Sequence, residues 1–240
     1  MLTTTQHQPP VTRLPVIDHA RGIALIGMVI FHLTFDLQFF GVLPFGTVNL
    51  PFWMIFARTV AGAFVFLAGI SLVLAQGQGI RWPAFWRGTG IVALAAIGVS
   101  VATYFALPFA YVFFGILHII AVSRVLGLAF LRVPVWAIIP IALVIWAAPY
   151  LVQFDAFDSR WLAWIGFSQT LPPSMDLEPI FPWFAPFLLG MAVARLGGIP
   201  GWSLPGGAGR ALAWAGRHSL AIYLIHQPVL LGTLWLIIRP

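Results

Sequence analysis

The sequence predicts an all-α, polytopic membrane helix bundle with about seven transmembrane helices, its N-terminus inside and its C-terminus outside. Of the 240 residues, 61% are hydrophobic and only 8% are charged, whereas a soluble domain carries about 25% charged residues. The apolar residues also come in long runs, each close to the roughly 20 residues that a helix needs to cross a bilayer. Because the chain has no cysteine, a disulfide scaffold and a cysteine–zinc site are excluded.

Seven hydrophobic runs are candidate spans. In chain order they cover residues 17–40, 51–76, 88–106, 109–131, 133–152, 180–196 and 216–238. The polar residues before the first run include a double proline, which predicts a disordered N-terminal tail over residues 1–14. Residues 15–240 are then expected to form a single transmembrane domain.

The distribution of arginines predicts the orientation of the bundle. All twelve basic residues are arginines, and the net charge is +6. With the N-terminus inside, nine of them lie at inner ends or in inner loops, while the longest outer loop, 153–179, is acidic. This asymmetry follows the positive-inside rule. It accounts for the basic charge without a nucleic-acid partner and predicts a multi-pass protein of the inner (plasma) membrane.

Three connecting segments have distinct compositions. Residues 77–87 are basic and rich in tryptophan, which is typical of an inner turn anchored at the interface. Residues 153–179 predict an amphipathic piece on the outer surface followed by an ordered loop. Residues 197–209 are rich in glycine and predict a flexible inner link.

The first span carries a polar stripe. At 100° per residue, Asp18, Arg21, His32 and Asp36 project within about 60° of each other. His32 is then roughly 16 Å from Arg21 along the axis, and Asp36 is close enough to bond His32 directly. Because an ionisable residue in hydrocarbon costs about 2.5–3.5 kcal/mol, such residues usually face a cavity and have a function. A carboxylate one turn from an imidazole would fix its tautomer and raise its basicity.

Two further histidines, His118 and His226, are expected at a similar depth on other spans, and Tyr223 and Gln227 share a helical face with His226. We therefore expect the three histidines to meet in one cavity; the alternative is that each only joins helices through buried hydrogen bonds. No His-x-x-x-His spacing supports a metal site, so none is predicted. Jointly, arginines at the inner ends would form a vestibule suited to phosphates; they are Arg21, Arg81, Arg87, Arg124 and Arg217.

Several motifs carry a resemblance to a known family. They are Arg13-x-x-x-Ile17-Asp18-x-x-Arg21-Gly22-Ile23-Ala24-Leu25, Gly115-Ile116-Leu117-His118-x-Ile120-Ala121, Pro182-Trp183-Phe184 after Asp176 and Glu178, and Gly216-Arg217-His218-Ser219-Leu220-x-Ile222-Tyr223-Leu224-Ile225-His226-Gln227-Pro228. Together these motifs resemble the catalytic domain of the heparan-α-glucosaminide N-acetyltransferase family, and in particular its short bacterial members. The last motif is also similar to the closing helix of the wider transmembrane acyltransferases.

This resemblance implies an acyltransferase that uses acetyl-CoA or another acyl-CoA as co-substrate, without a metal. The acyl group would pass from the cytoplasmic side to a sugar, amino-sugar or other envelope acceptor reached from the opposite face. We expect the inner arginines to bind the donor. The residues expected to bind the acceptor are Arg58, Asp176, Glu178, Trp183, Tyr223 and Gln227. Besides the bilayer, a second copy of the chain in a homodimer is a further expected partner.

The catalytic residues are expected to be His32, Asp36, His118 and His226. The eukaryotic members resemble this chain except that they carry an asparagine at the position of His32 and a histidine in the outer link, where residues 41–50 have none. His32, oriented by Asp36, is therefore expected to be the general base that takes the proton from the acceptor, a role that follows from its depth and its Asp36 partner. His118 or His226 would polarise the thioester carbonyl or protonate the leaving thiolate. The alternative function is a proton-coupled transporter or lipid-binding membrane protein that uses the same buried residues.

Overall fold

The computed structural model describes residues 14–238, which fold into α-helices without a β-strand in that part of the chain. This confirms the predicted all-α class. The predicted tail lies almost wholly outside the described residues. The helices, in chain order, are α1 Pro15–Phe39, α2 Pro51–Gln76, α3 Trp82–Ala106, α4 Ile116–Phe130, α5 Val135–Leu151, α6 Arg160–Ala163, α7 Ile180–Leu196, α8 Gly206–Arg217 and α9 Ser219–Ile238.

Four of these helices are long and apolar enough to cross a membrane, namely α1, α2, α3 and α9. The apolar helices α4, α5 and α7 have only 15 to 17 residues, so each is about 22–26 Å long. Large apolar side chains are left facing outward, for example Leu94 (70% exposed) and Trp136 (78% exposed). Such an apolar exterior is typical of a protein surrounded by lipid.

Two helix starts, those of α3 and α4, differ from the predicted spans by six residues or more. Helix α3 begins at Trp82 rather than at 88, because Pro83 lies in its first turn, where a proline needs no amide hydrogen. It therefore includes half of the predicted 77–87 turn. Helix α4 begins at Ile116 rather than at 109, because residues 110–114 bond to another loop instead. In that loop, 153–179, the helical part is limited to a short 3-10 turn, Asp155–Phe157, and the single turn of α6.

The bonded loop segment is residues 174–178, here called the strap. The Met175 amide donates to Ala110 O at 2.8 Å, and the Glu178 amide donates to Phe114 O at 3.0 Å. A parallel β-bridge joins Phe114 to Leu177. The strap therefore holds the segment that leads into α4.

The sequence prediction missed α8, since it assigned residues 206–209 to a flexible link and 216–217 to the start of the last span, and gave 210–215 no structure. Glycine-rich Gly206–Arg217 is a separate helix that packs against the first turns of α1. A Cβ added at Gly216 would lie 1.8 Å from Asp18 O, so only glycine permits this backbone contact. Buried His19 also bridges the two helices, with Nδ1 2.8 Å from Pro15 O and Nε2 3.2 Å from Gly209 O.

The centre of the bundle is formed by α7, which packs against α2 and α5. A Cβ at Gly69 would lie 2.0 Å from Phe187 O, so α2 and α7 touch through their backbones. Small residues commonly allow such approach between membrane helices. The fully buried Leu72, Leu188 and Met191 fill the space around this contact.

Candidate functional site

A cavity of about 180 Å³ lies between α1, α2, α3, α4 and α9. We call it the central cavity. Its walls are mostly apolar, with Phe64, Val92 and Ile120 among them. The polar residues that line it are Arg21, Ser71, Arg124, Ser219 and Tyr223.

Two arginines give the central cavity a positive wall. Arg21 Nη2 donates to Ser71 Oγ at 2.5 Å, and its Nη1 lies 3.5 Å from Asp18 Oδ1. Arg124 Nε donates to Thr89 Oγ1 at 3.0 Å. The two guanidinium groups are near enough to repel each other. Among residues 14–238, the one carboxylate that is paired with these two guanidinium groups is that of Asp18, so the wall suits an anion such as a phosphate.

The other three predicted donor-binding arginines do not line the central cavity. Arg81 is engaged at the end of α2, since its Nη2 donates to Ala75 O and its amide donates to Gln76 Oε1. Arg87 and Arg217 are exposed. The structure therefore brings Arg21 and Arg124 together and leaves Arg81, Arg87 and Arg217 outside.

Two of the predicted histidines meet between α1 and α9. The ring centroids of His32 and His226 are 4.8 Å apart. His226 Nδ1 donates to Tyr223 O, whereas the buried Nε2 has no hydrogen-bond partner in the described part of the chain. A neutral imidazole that donates from Nδ1 carries its lone pair on Nε2. Since Tyr223 lines the central cavity and its ring centroid is 5.7 Å from that of His226, the pair adjoins the cavity.

Asp36 does not form the predicted bond to His32. It is fully buried, and its Oδ1 accepts from Gln227 Nε2 at 2.7 Å. The reason is that the side chains of His32 and Asp36, both on α1, contact α9 rather than each other. Within residues 14–238, Asp36 Oδ2, Gln227 Oε1 and His226 Nε2 are buried acceptors without a donor. A bound proton, or a hydrogen-bond donor on a ligand, would satisfy these unpartnered acceptors.

His118 lies apart from the other two histidines, so the predicted meeting of all three is wrong. Its Nδ1 accepts from the Gly115 amide at 3.1 Å, and its Nε2 lies 3.1 Å from Ser100 Oγ, which donates to Val112 O. Nε2 therefore carries the hydrogen and donates to Ser100. Nδ1 therefore caps the start of α4, and Nε2 joins α4 to Ser100 of α3.

Most residues predicted to bind the acceptor gather near the strap. Asp176 Oδ2 accepts from the Ile116 amide at 2.9 Å, and Ile116 lines the central cavity. Glu178 interacts electrostatically with Asp176 and Arg58, and Tyr223 interacts with both carboxyl groups. Trp183 comes within 3.7 Å of where a Cβ of Gly62 would be, one turn from Arg58. Gln227 belongs instead to the Asp36 cluster.

The two carboxyl groups of the strap are hard to ionise. Burial raises the pKa of Asp176 to about 6, although the hydrogen bond from Ile116 opposes this rise. Burial and then the neighbouring Asp176 charge raise the pKa of Glu178 well above its usual range, against the effect of Arg58. Both carboxyl groups therefore hold their protons to a higher pH than exposed carboxyl groups do.

Sequence reasoning missed several residues of these sites. Ser71 and Thr89 orient the two cavity arginines, and the signal that could have found them is a hydroxyl within an apolar run. Gly115 is needed because a Cβ there would lie 2.1 Å from Asp176 Oδ2. Residues 14–238 contain no group of three or more His, Cys, Asp or Glu side chains that could hold a metal ion.

Apolar helices with outward-facing hydrophobic side chains, around a cationic cavity, define the chain as a helical membrane protein. The family described as heparan-alpha-glucosaminide N-acetyltransferase, catalytic, matches residues 13–228. The chain therefore belongs to this family of membrane acyltransferases, which confirms the resemblance carried by its motifs. Neither a curated protein nor a solved structure matches the chain.

Proposed function

We propose that this protein is an integral membrane acyltransferase. It moves an acetyl or longer acyl group from cytoplasmic acyl-CoA to a sugar, amino-sugar or other envelope acceptor. The observation that carries the proposal is the central cavity, which has Arg21 and Arg124 in its wall and Tyr223 beside the His32–His226 pair. Membership of the family supports it.

The proposed topology has seven spans in one domain, 15–240, with the N-terminus inside and the C-terminus outside, in the inner membrane. Four long and three shorter apolar helices support this number. In this orientation Arg21 and Arg124 face the cytoplasmic half, where the phosphates of the donor enter. The apolar walls then hold the pantetheine arm.

The proposed chemistry is general-base catalysis at the histidine pair. His226 Nε2, whose lone pair is free, takes the proton from the acceptor hydroxyl or amine in place of His32, because Asp36 bonds Gln227 and does not orient His32. His32 then stabilises the imidazolium that forms. The acceptor atom bonds to the thioester carbonyl carbon, the carbon–sulfur bond breaks, and the proton passes to the leaving thiolate. A positioned base contributes about 10²–10⁴-fold to such a step.

The acceptor site in this proposal is the cluster around the strap. Asp176, Glu178 and Arg58 offer hydrogen bonds to sugar hydroxyl or amino groups, and Trp183 offers a flat apolar face. Tyr223 lies between this cluster and the histidine pair. The acceptor therefore reaches the thioester from the side opposite the arginines.

Binding of acetyl-CoA to the purified full-length protein tests the donor site. The Arg21→Gln/Arg124→Gln variant is expected to lose affinity by about tenfold or more, since two charged phosphate contacts are removed. The matched control, Arg87→Gln/Arg132→Gln, removes the same charge from exposed positions and is expected to bind as the unchanged protein does. Equal affinity of the two double variants would contradict the proposed donor site.

A second candidate function, proton-coupled transport, is favoured by the unpartnered acceptors of Asp36, His226 and Gln227. Buried ionisable groups within membrane helices commonly mark proton paths. Proteoliposomes separate the two functions. Flux of a solute or of protons without CoA supports transport, whereas acyl transfer that needs CoA supports the enzyme.

A further inference from the structure

Helix α8 carries a basic face that no other described element covers. Arg210, Trp214 and Arg217 follow one another at spacings of four and three residues, which places them on one side of the helix. Arg210 and Arg217 are exposed, and Trp214 is 54% exposed. Neither guanidinium group has an ion pair or hydrogen bond within residues 14–238.

The opposite face of α8 is fixed to the bundle. Gly209, Ala213 and Gly216 are buried, and they pack against the first turns of α1 around Asp18 and His19. The helix has 12 residues and is not among the candidate spans. Because it packs against the first turns of α1, it lies at the level where α1 would enter the membrane in the proposed topology.

The composition of the exposed face of α8 indicates what kind of partner it binds. Residues 197–218 contain two arginines and no acidic residue. Trp202, which is 52% exposed and stacks on His19, adds a second exposed tryptophan in the segment that leads into α8. Helices that bind anionic lipid surfaces typically combine unpaired arginines with tryptophans at the depth of the headgroups.

We propose that the basic face of α8 binds anionic phospholipid headgroups of the leaflet in which it lies, with Arg210 and Arg217 on the phosphates. Trp214 inserts between neighbouring headgroups. Since α9 follows α8 directly, and Ser219, Leu220 and Tyr223 line the central cavity, this contact also holds one wall of the cavity in place.

Binding of phosphatidylglycerol to the full-length protein in neutral detergent tests the proposal, with phosphatidylcholine as the reference lipid and native mass spectrometry as the readout. An arginine near a membrane surface changes the affinity for anionic lipid about fivefold. Arg210→Gln is therefore expected to weaken phosphatidylglycerol binding about fivefold, and Arg210→Gln/Arg217→Gln more strongly. Arg132→Gln, which removes an exposed arginine outside α8, is the matched control and is expected to leave binding unchanged.

The proposal is overturned if the double variant binds phosphatidylglycerol as the unchanged protein does, or if Arg132→Gln weakens binding equally. A second measurement needs no variant. In nanodiscs, hydrogen exchange over residues 206–217 of the unchanged protein is expected to slow when phosphatidylglycerol is added to phosphatidylcholine. Equal exchange in both membranes also overturns the proposal. Neither readout depends on acyl transfer.

Discussion

Asp176→Asn is expected to stabilise the protein at neutral pH. The folded protein raises the pKa of Asp176 from its ordinary value of 3.8 to about 6, so the folded state holds this proton more tightly than the unfolded state does. Stability from this group is therefore fully present below pH 4 and is lost as pH rises through about 6. One pKa unit corresponds to 1.36 kcal/mol, which gives a loss of about 3 kcal/mol at neutral pH.

Asparagine removes the titration but keeps a side-chain oxygen for the Ile116 amide. The variant is expected to gain up to about 3 kcal/mol at pH 7.5 and to lose the decline in stability between pH 4 and 6. Thermal unfolding in detergent, followed by the fluorescence of the 11 tryptophans, measures both effects. Asp158→Asn is the control, because Asp158 Oδ1 also accepts backbone amides, those of Gln169 and Thr170, and no gain is expected there. A variant at Asp176 that melts at or below the temperature of the unchanged protein at pH 7.5 would refute this reasoning.

Three further substitutions separate structural from catalytic roles. His118→Ala leaves the Gly115 amide and Ser100 without their partner, and a loss of about 1–3 kcal/mol in stability is expected; thermal unfolding checks it, and an unchanged melting temperature argues against the capping role. His226→Ala is expected to lower acyl transfer at least about 10²-fold while acetyl-CoA still binds, and unimpaired transfer would remove His226 from the mechanism. Gly216→Ala forces α8 away from Asp18, so faster proteolysis within 197–218 is expected, and resistance equal to that of the unchanged protein speaks against the close contact.

The order of the hydrophobic helices was predictable because long apolar runs have few structures open to them in lipid. The ends of these helices were less predictable. The start of α4 depends on hydrogen bonds between Ala110 and Met175, which are far apart in sequence. Helix α8 was missed since its glycines weaken helix propensity, and contact with α1 at Asp18 compensates for it.

The candidate site was predictable where one helical face carried the signal. The periodicity of α1 and α9 indicated buried polar residues, and His32 and His226 do meet. The depth of a residue in the membrane does not show which neighbouring helix its side chain contacts. The sequence therefore predicted a bond between Asp36 and His32, whereas Asp36 bonds Gln227. His118 was misplaced because α4 begins at Ile116 and not at 109, so that His118 lies in the first turn and caps its own helix.

Photocrosslinking with a photoreactive acyl-CoA tests the central claim, that the cavity between the two arginines and Tyr223 holds the donor. A reactive group at the acyl end is expected to label peptides that contain Ile116–Ile120 and Ser219–Tyr223, and excess acetyl-CoA is expected to prevent it. Saturable labelling confined to other segments, with these two peptides unmarked, would contradict the account.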